Sequence, residues 1–371
     1  MATLAVVSTL MFAACTGTVE DQLQRILDDS VKRPGVTLPG AIAHYNGPTH
    51  VPWSGAAGLG DLPGKVAMRP HDRFRAGSVL KTFLATVTLQ LVEQGALSLE
   101  QTLPSLLPGS VTSRIANADQ ISLRMLLDHT SGIPEWVTPE VVAQVMAEPG
   151  RVWSPEEAIE IASQLPPSFA PGTSWSYSNT NYTLVGLVLD RAGGRSWRAQ
   201  VRAGVLERLG LSSTRLPEPG DMTMAGEYAH GYQVVDGAAV DFSAVDPSMA
   251  GAAGGHALLT TAEDLGRFLE ALLAGELFED PATLAAMKTM VEAPHESGVP
   301  HRYGLGLEEF TLPGGVAVLG HSGSTAGYAV MMFRIPACDA TLVTAVNTSD
   351  LFVNALEVFV PGVDAVTSGA R

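Results

Sequence analysis

The chain has 371 residues, with 38 acidic and 22 basic side chains and a formal charge of −16. Hydrophobic content of 46%, with 38 glycines and 24 prolines, fits a globular enzyme of one large domain or two packed lobes. No basic stripe occurs, which excludes phosphate-driven nucleic-acid binding and attraction to an anionic membrane surface.

In chain order, residues 1–14 form an apolar run that ends Met11-Phe12-Ala13-Ala14 before Cys15. The run is too short to span a bilayer and resembles a bacterial lipoprotein export signal. On that reading residues 1–15 are the export signal: residues 1–14 are removed, Cys15 carries the lipid, and the protein is extracytoplasmic. No positive charge precedes the run and Phe12 stands where a smaller residue is usual, so an ordinary apolar N-terminus is the competing reading. With only Cys15 and Cys338, neither a disulfide framework nor a cysteine metal site is expected. Leu38–Tyr45 and Pro52–Gly58 read as short strands around an Asn46-Gly47-Pro48 turn. From Ser78 to about Glu93 the pattern is helical and apolar on several faces, so this helix belongs at the centre of the molecule, with Gly95 closing it. Residues 96–254 alternate short helices with Pro/Gly-rich loops. After Gly254-Gly255, Thr260 or Thr261 followed by Glu263 and Asp264 marks a helix start. Strands are then predicted at Tyr303–Phe310, Val316–His321, Tyr328–Arg334 and Thr341–Val346, and a last helix at Leu351–Val360. Strands at both ends therefore frame a helical lobe: residues 20–95 with 255–371, and 96–254.

Among four lysines, only Lys81 has a serine three residues before it. On a helix, i and i+3 share a face, so Lys81 can reach back to Ser78. Serine needs a neighbouring base to act as a nucleophile. Ser78 opens its helix, where an unpaired N–H and the positive end of the dipole favour developing negative charge. Tyr177-Ser178-Asn179 supplies a phenol that a cationic Lys81 could draw down as a base. It also supplies an amide able to hold Lys81 and a substrate amide together. His321-Ser322-Gly323 ends a predicted strand, and the N–H of Ser324 can complete an oxyanion hole with that of Ser78. His129 reads as structural. No His-Glu-x-x-His or other metal-ligand spacing occurs. Gly58-x-Gly60 and Gly304-x-Gly306 lack the remainder of any phosphate loop. Gly320-His321-Ser322-Gly323-Ser324 fails as an α/β-hydrolase elbow, because no histidine follows it.

These motifs resemble those of the penicillin-recognising serine hydrolases, which include class C β-lactamases and serine D-Ala-D-Ala carboxypeptidases. The resemblance runs from about Val36 to Val360 and includes Leu126-Leu127-Asp128-His129-Thr130-Ser131-Gly132 and Pro171-Gly172-Thr173-Ser174-Trp175. It implies an α/β (α+β) fold of the β-lactamase/transpeptidase type: an antiparallel sheet flanked by helices, with an all-helical lobe inserted. It also implies an acyl-enzyme mechanism without a cofactor. Ser78 is then the nucleophile, Tyr177 the base tuned by Lys81, and Asn179 and Ser322 orient the substrate while His321 supports Tyr177. The partner is a small molecule or peptide: a D-amino-acid peptide, β-lactam or ester. The leading expectation is a D-alanyl-D-alanine carboxypeptidase-like hydrolase, because class C β-lactamases usually carry lysine where His321 stands. Carboxypeptidases of the family, however, hold the substrate carboxylate with an arginine after a Gly-x-Gly-Leu strand. Here Gly304-Leu305-Gly306-Leu307 leads into Glu308 and Glu309. Strand alternation would turn one of them, taken as Glu308, into the cleft. That favours a D-aminopeptidase, amidase or carboxylesterase; a class C-type β-lactamase and a penicillin-binding sensor that hardly turns over remain open.

Overall fold

Helix α1 (Val19–Ser30) starts at a capping box between Thr18 and Asp21 and buries the stripe Val19, Leu23, Leu27. The computed structural model describes residues 17–33, 38–48, 51–235, 238–250, 257–294, 299–349 and 354–369. The apolar run with Cys15, and Gly254-Gly255, lie outside them. Strands β1 (Gly40–Asn46), β2 (Trp53–Asp61) and β3 (Val66–Ala67) follow α1. After a 3₁₀ turn at Gly77–Val79 comes helix α2 (Leu80–Glu93), in which ten successive residues from Leu80 to Leu89 are buried. Its buried threonines are satisfied locally or by neighbours: Thr86 and Thr88 donate to carbonyls one turn back, and Thr82 to Gly306. Gly95, at φ +70°, ends the helix as the sequence predicts.

The chain then runs through short helices, among them Leu123–Leu127, Pro139–Ala147 and Pro155–Ser163. Next comes the longer α3 (Asn179–Ala192). Helix α4 (Ala262–Leu273) starts at the expected cap, Thr261, whose hydroxyl accepts from the Asp264 N–H. Strands β4 (Val291–Glu292), β5 (His301–Tyr303), β6 (Glu308–Thr311), β7 (Ala317–Thr325), β8 (Tyr328–Ile335) and β9 (Ala340–Val346) precede the final helix α5 (Leu356–Gly369). These nine strands join one antiparallel sheet in the order β3-β2-β1-β9-β8-β7-β6-β5-β4. The β1–β9 pairing, with Ala41 opposite Val346, ties the two ends of the chain together.

One strand assignment needs correction. Tyr303–Phe310 is not a single strand but the two arms of a hairpin, β5 and β6, turning at residues 304–307. Gly306 sits at φ +74°, and a Cβ there would come within 2.6 Å of the Ala85 Cβ and 2.9 Å of the Tyr182 hydroxyl. The turn is thus seated on α2, a tertiary contact that local alternation does not reveal.

The sheet separates two cores by period-two alternation. On β8, Ala329, Met331, Phe333 and Ile335 pack under α1 and α5. Val330 and Met332 face the opposite side, toward α2 and α4. There Phe83 and Phe268 stack with ring centroids 3.7 Å apart. No helix among the described residues is long and apolar enough to cross a membrane.

Candidate active site

Two glycines bring the start of α2 against the edge of β7. At Gly77, φ +58°, a Cβ would lie 2.7 Å from Ser324 N. At Gly323 a Cβ would collide with the Ala76 carbonyl oxygen and stand 3.1 Å from Ser78 N. Only bare backbone permits this approach, and it sets the N–H groups of Ser78 and Ser324 side by side, as an oxyanion hole requires.

One helical turn on, the buried Lys81 places Nζ 3.2 Å from Ser78 Oγ and donates to Asn179 Oδ1 at 2.7 Å. Nζ also stands 4.7 Å from the centre of the Tyr177 ring. The Tyr177 hydroxyl is hydrogen-bonded to Ser78. Ser78, Lys81, Tyr177 and Asn179, spread over a hundred residues, therefore meet at one point. Burial pulls the Lys81 ammonium down to about 7, against the opposing pull of Glu135 and Glu308. Tyr177 behaves differently. Burial pushes its phenol well above 10, only partly offset by the hydrogen bond from Ser78. The expectation that Lys81 draws the phenol down is not met: burial pushes the phenol up and the lysine down, to about 7.

Glu135 escaped the sequence reading. Its Oε2 accepts from both the backbone N–H and the side-chain Nδ2 of Asn179, at 2.7 and 2.9 Å, so it backs the amide that holds Lys81. Burial raises its carboxyl above the usual range. The loop is stitched to α3 by Thr180, whose hydroxyl donates to the Pro134 carbonyl and accepts from the Trp136 N–H. The only local hint in the sequence is an acid between Pro134 and Trp136, shortly after the His129-Thr130-Ser131-Gly132 run. His129 is structural, as read: at φ +64°, its Nδ1 accepts from the Ser178 N–H, and its ring lies against Tyr177 at 4.4 Å. Burial holds this imidazole neutral.

Three expectations on β6 and β7 are revised. His321 is fully buried and supports Tyr303 rather than Tyr177: the Tyr303 hydroxyl donates to its Nε2 at 2.8 Å, and its Nδ1 donates to the Ser322 carbonyl at 2.5 Å. Burial drops the imidazole to about 3, so it brings no charge to the site. Ser322 is engaged by Glu308: its N–H donates to Glu308 Oε2 at 2.7 Å, and its hydroxyl bonds the same carboxylate. Glu308 does turn inward, but it is buried and engaged on the strand edge, its carboxyl raised by desolvation. Glu309 turns outward onto Arg302. Ser324 is exposed at the rim, its hydroxyl donating to the Ser349 carbonyl. Cys338 is a free, half-buried thiol, and among the described residues no His/Cys/Asp/Glu group of three could hold a metal ion.

A serine with a lysine one turn later, beside two backbone N–H groups on a sheet edge, is the arrangement of a serine hydrolase. Residues 23–357 match the Beta-lactamase family, and the chain belongs to it. Esterase EstB of Burkholderia gladioli is 29% identical over 299 residues, 74% of this chain and 75% of that protein. Penicillin-binding protein 4* of Bacillus subtilis is 25% identical over 307 residues, 75% of this chain. The match spans 61% of the Bacillus protein's length. Among solved structures, a D-stereospecific amidohydrolase from Streptomyces sp. superimposes with a TM-score of 0.79 at 29% identity, covering 92% of this chain and 97% of that one. The D-amino acid amidase of Ochrobactrum anthropi SV3, complexed with D-phenylalanine, gives 0.81 at 25% identity, covering 95% and 98%.

Proposed function

We propose that the protein hydrolyses amides and esters of D-amino acids through an acyl-enzyme on Ser78. The observation that carries this reading is the acidity of the cleft: Glu135 and Glu308 both act on Lys81. The positions after Gly304-Leu305-Gly306-Leu307 hold Glu308 and Glu309, and the nearby Arg302 is engaged by Glu309. Such a site favours a substrate with a free amino group and disfavours a leaving group that ends in a carboxylate. The likeness to the amidohydrolase, the amidase and the esterase supports it. D-Ala-D-Ala carboxypeptidase activity is the second reading, favoured by histidine rather than lysine at position 321.

In the proposed cycle, neutral Lys81 accepts the Ser78 proton as Oγ bonds to the substrate carbon, and the N–H groups of Ser78 and Ser324 hold the oxyanion. As the tetrahedral species collapses, the C–N or C–O bond breaks. The departing atom takes a proton from the Tyr177 hydroxyl, which regains one from Lys81. A water then attacks the acyl-enzyme, its proton returns through the same pair, and Ser78 leaves protonated. The test is a panel of D-amino-acid amides, p-nitrophenyl esters, D-Ala-D-Ala peptides and a chromogenic cephalosporin. Turnover of the amides and esters is expected, with free-carboxylate peptides poorer. Preference for the D-Ala-D-Ala peptides would instead establish the carboxypeptidase, and acylation without turnover a penicillin-binding sensor.

A further inference from the structure

Beyond the oxyanion hole, the next pair of groups on the edge of β7 is already occupied. N–H and C=O groups two residues apart point to the same side of a strand. Gly320 faces β6, opposite Glu308. Ser322 and Ser324 therefore present their backbone groups on that same side, past the end of β6. At Ser324 they meet the start of α2 and the nucleophile. At Ser322 both are held by the chain itself: Glu308 accepts the N–H at 2.7 Å, and His321 Nδ1 donates to the carbonyl at 2.5 Å. The Ser322 hydroxyl is drawn onto Glu308 as well.

The leaving group must lie where its proton is delivered, against Tyr177 and Lys81. The Tyr177 ring stands edge-on to Tyr303 at 6.3 Å, and Tyr303 bonds His321. Glu308 acts electrostatically on both Lys81 and Tyr177. Tyr303, His321, Ser322 and Glu308 thus form a bonded cluster behind Tyr177 and Lys81, on the side where the leaving group departs. We infer that β7 is closed to backbone pairing on this side, so that the enzyme takes D-aminoacyl primary amides and small alkyl esters and rejects substrates that continue past the scissile bond as a peptide. This rests on the amide and ester reading above and narrows it. A peptide there would find the Ser322 N–H taken by Glu308 and the Ser322 carbonyl already bonded to His321, with the Glu308 carboxylate in its path.

The experiment holds one D-aminoacyl group constant and varies what leaves: ammonia, methanol, or D-alanine amide, which is neutral. Wild type should hydrolyse the dipeptide amide with a kcat/KM about 10²-fold below the primary amide, the size expected when a single polar group is left unpaired. Glu308→Ala, which frees the Ser322 N–H and opens space, should narrow that ratio about 10-fold, while Glu308→Gln, which keeps an acceptor on Ser322, leaves it within about 3-fold. Equal wild-type rates on the dipeptide amide and the primary amide overturn the inference. So does an unchanged ratio in folded Glu308→Ala, or a Glu308→Gln shift as large as that of Glu308→Ala, which would assign selectivity to charge. The wild-type series decides by itself if Glu308→Ala does not fold. Absence of turnover on every amide and ester, with Ser78 still acylated by a β-lactam, would sink the functional reading itself and this inference with it.

Discussion

A buried lysine brought to about 7 and a buried phenol held well above 10 predict different pH profiles for the same active site. If neutral Lys81 is the base, kcat/KM on an uncharged p-nitrophenyl ester climbs as pH rises through about 7 and is flat above it, because deprotonation creates the competent form. If the Tyr177 phenolate were the base, the rise would continue past pH ~10. Lys81→Ala should remove the limb and cost at least ~10²-fold, whereas Tyr177→Phe should keep the limb and lower the plateau. Glu135 and Glu308 raise the lysine, so Glu135→Gln should move the limb to lower pH. A β-lactam or fluorophosphonate should label Ser78 alone, and labelling at Ser322 would rule the mechanism out. At this scale the nucleophile and its partners were legible because Ser78 and Lys81 are one helical turn apart and Tyr177 and Asn179 share a short motif. The direction of the proton traffic was not, because desolvation depends on everything packed around a group. Glu135 was hidden for a related reason: a single loop acid gains its role only through two hydrogen bonds from Asn179.

The meeting of the 3₁₀ turn before α2 with the edge of β7 depends on glycines having no side chain. Gly323→Ala would drive a methyl into the Ala76 carbonyl, and neither backbone segment has a flexible end that could yield. The expected result is separation of the two oxyanion donors, with kcat down about 10²–10³-fold, as for loss of one donor. The overpacking adds about 1–3 kcal/mol of destabilisation. Gly315→Ala provides the contrast. It sits at φ +81° with open space around it, so only the backbone conformation is strained, at about 1–2 kcal/mol, and kcat/KM should hold. Thermal unfolding and initial rates on both variants check this; equal activity losses would mean that the close approach is not what builds the hole. The stop of α2 at Gly95 was legible because a helix end is local chemistry. The β5–β6 hairpin was not, since Gly306 turns there to avoid Ala85 and Tyr182, residues more than a hundred positions away.

Across the whole molecule, the sheet divides labour between its two faces. Strand placement in the sequence puts residues 20–95 with 255–371, and in the sheet β1 pairs with β9. What pattern could not supply is which helix covers which face. Phe359 of α5 is fully buried against Phe333 on the outer face, at 5.4 Å between ring centres. Phe83, equally buried, lies on the inner face, on the same helix as Lys81 and two residues after it. Truncating either ring to alanine should cost about 3–5 kcal/mol by transfer and cavity terms. The functional consequences should diverge. Phe359→Ala removes packing between α5 and a rigid sheet, so kcat/KM of the fraction that remains folded should stay within about 2-fold of wild type. Phe83→Ala loosens the stack on Phe268 and lets α2 shift, and displacement of Nζ from Ser78 Oγ by even ~1 Å can cost about 10²-fold. Urea unfolding gives the stability terms, and rates at low temperature, where both variants are folded, give the activity terms. If Phe359→Ala loses activity as severely as Phe83→Ala at matched stability, the outer face is coupled to the catalytic turn and the sheet does not insulate it.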